Sequence, residues 1–138
     1  MPKKHFTIEE ANKEIPKIRK ILEKAKSLGK AIEELSSIKI SFTDESEYSN
    51  YSDTLTKLNK EFHKLSYDFY AELEKLDKVG CLLKDLKTGL IDFYCRFEGR
   101  DIFLCWKLGE EKISNWHETD SGFDGRQRIV DLEELAKF

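Results

Sequence analysis

The sequence predicts an α+β protein: a long N-terminal antiparallel helical hairpin packed on a C-terminal antiparallel sheet of three to four strands with a glycine-rich loop. Three observations carry this. Apolar residues recur in steps of three and four as far as Val79, the apolar period falls to two beyond Gly80, and six of the seven glycines lie at or after residue 80. Glycine is disfavoured inside helices and useful in turns, so the change separates a helical half, 1–79, from a strand-and-loop half, 80–138. With 138 residues the chain is read as a single domain spanning 1–138.

The first helix opens at Thr7, an N-cap residue with Glu10 three positions on, where its carboxylate reaches back to the cap amide. Ala11, Ile15, Ile18, Leu22, Ala25, Gly29, Ile32 and Ser36 then form one stripe. Pro16 removes a backbone bond near Asn12 and predicts a kink. A polar run from Ser41 to Asn50 reads as a connector. The second stripe is Leu55, Leu58, Phe62, Leu65, Phe69, Leu73 and Leu76, closed by Gly80 as a left-handed cap. Two such helices form an antiparallel hairpin.

Residues 90–97 and 100–108 alternate with period two around Glu98-Gly99, which reads as a β-hairpin with a two-residue loop. Phe97 then faces Arg100, and Ile91, Phe93, Cys95 and Phe97 share an apolar face with Ile102, Leu104, Trp106 and Leu108. The other face pairs Arg96 with Asp101, Tyr94 with Phe103 and Asp92 with Cys105. Cys95 and Cys105 fall on opposite faces and cannot pair with each other. Residues 81–84 and 113–117 are expected to add strands, and 131–136 a short helix.

Composition removes several function classes. Lys and Arg number 24 against 27 Asp and Glu, a net charge of −3, too even for a general nucleic-acid binder. No apolar run approaches the ~18 residues of a membrane span, and the basic start at Met1-Pro2-Lys3-Lys4 lacks the apolar core of a secretory signal. The expected compartment is the cytoplasm. Three cysteines without a C-x-x-C spacing suggest small hydrophobes rather than a zinc or redox motif. About 30 residues of helix span ~45 Å, against ~30 Å for a strand of about nine residues. The far end of the hairpin, with Leu28, Ile32, Leu35, Ile38, Leu55 and Leu58, therefore overhangs the sheet and predicts a homodimer through the hairpin.

Functional residue types concentrate between Trp116 and Arg128. His117, Glu118 and Asp120, with Asp85 or Asp92 folded alongside, offer imidazole and carboxylates for a transition metal. Gly122 and Gly125 let backbone amides approach an anion, Arg126 and Arg128 offer forked donors, and Trp116 or Phe123 a stacking ring. The metal spacing matches no fixed motif, neither phosphate-binding glycine pattern is present, and the calcium-loop pattern starting at Asp120 fails at its third and twelfth positions. No catalytic constellation assembles from local spacing.

Four stretches resemble a prokaryotic family catalogued as domain of unknown function 2203. These are Phe6-Thr7-x-Glu9-Glu10-Ala11-Asn12 with Pro16, the run from Gly80 to Phe93, Leu104-Cys105-Trp106-Lys107-Leu108-Gly109-Glu110, and Trp116-His117-Glu118-x-Asp120-x-Gly122-Phe123-x-Gly125-Arg126-Gln127. The resemblance implies that Asp85, Asp92, Trp106, Trp116, His117, Glu118, Asp120, Gly122, Gly125, Arg126 and Gln127 belong to a shared pattern, and Tyr94-Cys95 departs from it. It implies no particular reaction and no particular cofactor. The residues therefore predict a binding site for a small anionic or metal-associated ligand in the C-terminal loop. The alternative is a protein-interaction module acting through the helical hairpin, with no small-molecule chemistry.

Overall fold

The computed structural model describes residues 3–38 and 45–129. Helix α1, Ile8–Ser36, begins with the expected capping box: Thr7 Oγ1 accepts the Glu10 N–H at 3.1 Å, and Glu10 accepts the Thr7 N–H at 3.0 Å. These bonds, the Thr7 amide's foremost, hold the Glu10 carboxyl below its ordinary range. The helix continues through Pro16, and the Asn12 side chain one turn earlier accepts the Ile113 N–H at 2.8 Å. Helix α2 runs Glu45–Val79, so six of the ten residues of the polar run expected as a connector, 45–50, are helical. Its end is the predicted left-handed glycine: Gly80 has φ 98°, and its N–H bonds the Leu76 and Asp77 carbonyls.

The sheet is an antiparallel meander of β1 (Leu82–Asp85), β2 (Leu90–Phe97), β3 (Arg100–Lys107), β4 (Asn115–Glu118) and β5 (Gln127–Arg128), in that order across the sheet. The β2–β3 register is the one the sequence predicts, from Phe97 opposite Arg100 to Leu90 opposite Lys107. Glu98 at φ 51° and Gly99 at φ 78° make the tight turn whose twist matches the strands. The sheet has five strands where three to four were expected. The fifth lies in the segment expected to be a glycine-rich loop, which also contains a 3₁₀ turn, Phe123–Gly125. β5 is two exposed residues long, too short for any alternation, and is held by pairing with Asn115 and Trp116. The helix expected over 131–136 lies outside the described residues.

The core lies between the hairpin and one sheet face. Ala11, Ile15, Ile18 and Leu22 of α1 and Leu76 of α2 pack on Ile91, Phe93, Ile102, Leu104, Trp106 and Trp116. Beyond Ala25 on α1, and before Glu72 on α2, no described side chain is buried, so the hairpin does overhang the sheet. Where burial stops, Glu72 draws Lys24 and Lys75 to 3.2 and 2.8 Å and ties the two helices together. The Phe69 ring of α2 lies beside α1 at Gly29, 3.5 Å from where a Cβ would sit, which is ordinary packing distance. No helix of the described residues is long and apolar enough to cross a membrane.

Candidate functional site

Strand alternation that sends Ile91, Phe93, Leu104 and Trp106 toward the helices turns Asp92, Phe103 and Cys105 to the opposite face. Asp92 of β2 sits across from Cys105 of β3, and His117 of β4 sits across from Phe103, diagonal to Cys105. Three adjacent strands thus each contribute one polar or thiol side chain to one patch. All three are buried, with exposures of 2%, 0% and 2%. One donor atom from each lies within 4.8 Å of the others.

His117 sets the chemistry of this patch. Its Nδ1 lies 2.9 Å from the Glu118 carbonyl oxygen. A carbonyl only accepts, so Nδ1 carries a hydrogen and donates it. The Nε2 atom faces both Asp92 carboxylate oxygens, at 3.2 and 3.1 Å. The Phe103 ring flanks the imidazole with centroids 5.4 Å apart. Burial, reinforced by the nearby Asp92 charge, pushes the Cys105 thiol up to about 12, with Arg126 pulling the other way. Such a thiol is no ready nucleophile.

Arg126 closes the patch from the segment before β5. Its Nη2 donates to the Cys105 carbonyl at 3.4 Å and to both Glu110 carboxylate oxygens at 2.6 and 2.9 Å. Its Nε is buried and, among the described residues, has no partner. The guanidinium stacks 4.7 Å from the Phe123 ring centre, and the Lys107 ammonium lies 5.5 Å from the same ring. Asp85, Thr88, Leu90, Lys107 and Phe123 line a cavity of about 190 Å³. The Leu90–Lys107 pair is the next one along this face from Asp92–Cys105, roughly 7 Å along the strands.

The other residues singled out from the sequence lie elsewhere. Glu118 points away from His117 and forms a fork with Arg100 at 3.1 and 2.5 Å, which holds its carboxyl below the ordinary range. Asp120 is exposed, and among the described residues the donor cluster that holds His117 includes neither Glu118 nor Asp120. Asp85 accepts from the Thr88 hydroxyl and the Lys87 N–H in the β1–β2 turn, and these bonds lower its pKa. Trp116 is turned into the helix-side core with its ring 5.8 Å from Phe97, out of reach of a ligand on the other face. Gly122 and Gln127 are exposed, and Gly125 packs against the Ser121 side chain. Sequence reasoning passed over Cys105 and Glu110. For Cys105 the signal was at hand: the predicted register already set it opposite Asp92.

No curated protein and no solved structure matches the chain. The family profile described as an uncharacterized conserved protein, DUF2203, matches residues 4–129. The four motif stretches all fall within that span, and the chain belongs to the DUF2203 family.

Proposed function

We propose that this protein is a metal-binding domain, with Asp92, Cys105 and His117 as ligands for one divalent ion of the zinc class. One observation carries the reading. With Nδ1 committed to the Glu118 carbonyl, the His117 Nε2 lone pair faces a carboxylate inside the protein. Two electron-rich groups at 3.1 Å repel unless a proton or a metal ion sits between them. The adjacent Cys105 sulfur makes the set nitrogen, oxygen and sulfur, which suits zinc and disfavours magnesium or calcium. The Nδ1–H bond to a backbone carbonyl is also the arrangement that orients a metal-bound imidazole.

The test is metal content and cobalt spectroscopy. Protein purified without chelator is expected to carry about one equivalent of zinc by mass spectrometry. Cobalt exchanged into the site is expected to give a thiolate charge-transfer band that Cys105→Ser removes. A hundredfold excess of metal over Kd adds ~2.7 kcal/mol of stability, a rise of roughly 10 °C in Tm. A metal-free protein whose Tm ignores zinc and cobalt, with an NMR signal for a proton held between His117 and Asp92, overturns the reading.

A second reading, self-association through the overhanging hairpin, is favoured by Ile38 and Leu55, which are 52% and 39% exposed at the distal end. With Leu35, Leu58 and Phe62 they line a groove of about 320 Å³. Sedimentation equilibrium tests it: a dimer mass that Leu55→Glu converts to a monomer supports it, and a monomer at high micromolar concentration sinks it.

A further inference from the structure

We infer that residues 119–126 form a strap over the Asp92–Cys105–His117 donor set, latched by Arg126 on Glu110, and that opening of this strap admits and releases the ion. The inference rests on the metal reading above and adds the route by which the site is reached. The need for a route follows from burial. All three donors are buried, although they lie on the sheet face turned away from the helices. A hydrated ion cannot enter so closed a site unless part of its cover moves.

The strap joins β4 to β5 and touches the donor set at both ends. At its start, the Glu118 carbonyl that orients the His117 imidazole also accepts the Ser121 N–H at 3.1 Å and the Ser121 hydroxyl at 3.2 Å. At its end, Arg126 donates to the Cys105 carbonyl at 3.4 Å, and its charge opposes the upward push that burial gives the Cys105 thiol. Between these points the segment closes on itself. The Gly125 N–H bonds the Gly122 carbonyl at 2.9 Å, and a Cβ on Gly125 would meet the Ser121 Oγ at 2.6 Å. Such a loop moves as one piece.

Its hold on the rest of the protein is slight. No residue from 119 to 129 is buried, and segments with few buried contacts open locally at low cost. The strap is fastened by the Arg126 bonds to Glu110 and Cys105 and by the Phe123 ring against Lys107. The donors beneath it lie instead on β2, β3 and β4, which are paired with one another in one sheet. Exposed residues 119 and 120 on one side, and the return to sheet pairing at Gln127 on the other, mark where the strap turns. It lifts without moving the strands that carry the donors.

The experiment reads the opening at Cys105, first without metal. Metal-free native protein is labelled with methyl methanethiosulfonate, a thiol reagent far faster than iodoacetamide, and each cysteine is followed by peptide mass spectrometry. Cys105 is expected to label at least about tenfold faster than Cys95, which faces the helices and waits for global unfolding. Glu110→Gln keeps an acceptor for the Lys107 N–H, now at 2.7 Å, and removes the charge of the latch. It is expected to speed Cys105 labelling about tenfold and to leave Cys95 unchanged. Phe123→Ala, at an exposed position, is expected to act in the same direction by a smaller factor and serves if Glu110→Gln does not fold. In zinc-loaded protein both variants are expected to speed zinc uptake and zinc release to a chelator by similar factors, so that Kd hardly changes. Damage to the donor set would raise Kd instead and overturns the inference. Equal labelling of Cys105 and Cys95 in the wild type, or variants that leave Cys105 labelling unchanged, also overturns it and leaves the metal reading standing. Faster labelling with unchanged zinc exchange overturns the strap as the ion's route. A wild type that takes up no zinc sinks the metal reading, and the labelling then decides the strap by itself.

Discussion

The two faces of the sheet are buried alike and built for different ends. The helix-side face is closed by Ile91, Phe93, Ile102, Leu104 and Trp106, each at 0% exposure. The opposite face buries Asp92, Cys105 and His117 just as deeply. Apolar burial on the first face stabilises the fold at ~25 cal/mol per Å². Placing a carboxylate and an imidazole on the second costs several kcal/mol per charged group unless something compensates. A protein selected for stability alone fills both faces with hydrophobes. The polar face is therefore the one whose residues need a reason beyond folding.

That contrast can be broken experimentally, and the largest effect belongs to the apolar face. Trp106→Ala is expected to cost ~3–5 kcal/mol, measured as a drop in the urea midpoint, and it also removes the indole bond to the Glu110 carbonyl at 3.0 Å. On the polar face, the double change Asp92→Leu with His117→Phe is expected to leave the metal-free protein as stable as wild type, or ~1–4 kcal/mol more so, while abolishing the zinc-dependent rise in Tm. A double variant as damaged as Trp106→Ala would show that both faces are purely structural.

A smaller effect is expected from acid. Its Lys75 bond, with Lys24 adding to it, holds the Glu72 carboxyl below its ordinary 4.5. A lowered folded-state pKa contributes stability that is present above 4.5 and lost as pH falls through the folded value. Asp101, lowered chiefly by His5, and Glu118, lowered by Arg100, act in the same direction. Thermal melts are expected to be flat from pH 6 to about 5 and to fall below that, less steeply in Glu72→Gln. The smallest effect is one the two faces share, read at their thiols. Burial pushes Cys95 up to about 11 and Cys105 up to about 12. Neither is expected to react with iodoacetamide at pH 8 in the native protein, as read by mass spectrometry, whereas both react after unfolding.

The capping box at Thr7, the glycine cap at Gly80 and every pair of the β2–β3 hairpin were legible because each depends on residues close in sequence. A two-residue turn and a period of two leave one register that buries the apolar set. β5 was not legible, because two residues carry no period and its pairing depends on where the preceding segment folds. Trp116 looked like a ligand-stacking ring because it adjoins His117, yet adjacent strand residues point to opposite faces and the better-packed face took the tryptophan. Glu118 was lost to the candidate metal set for the same reason, and Arg100, 18 positions away, claimed it. Arg126 was picked out for its fork, but its hold on Glu110 belongs to a contact spanning 16 residues.

The amino-acid sequence by itself determined the elements, the hairpin register and the presence of one polar sheet face, since these follow from local periodicity and turn chemistry. Only the tertiary structure decided that β4 docks beside β3 with His117 diagonal to Cys105, and that Arg126 folds back over them. Those placements are set by packing between segments distant in sequence, where a one-residue change of register exchanges the faces. A cysteine that reads as a small hydrophobe thereby becomes the third member of a buried donor set.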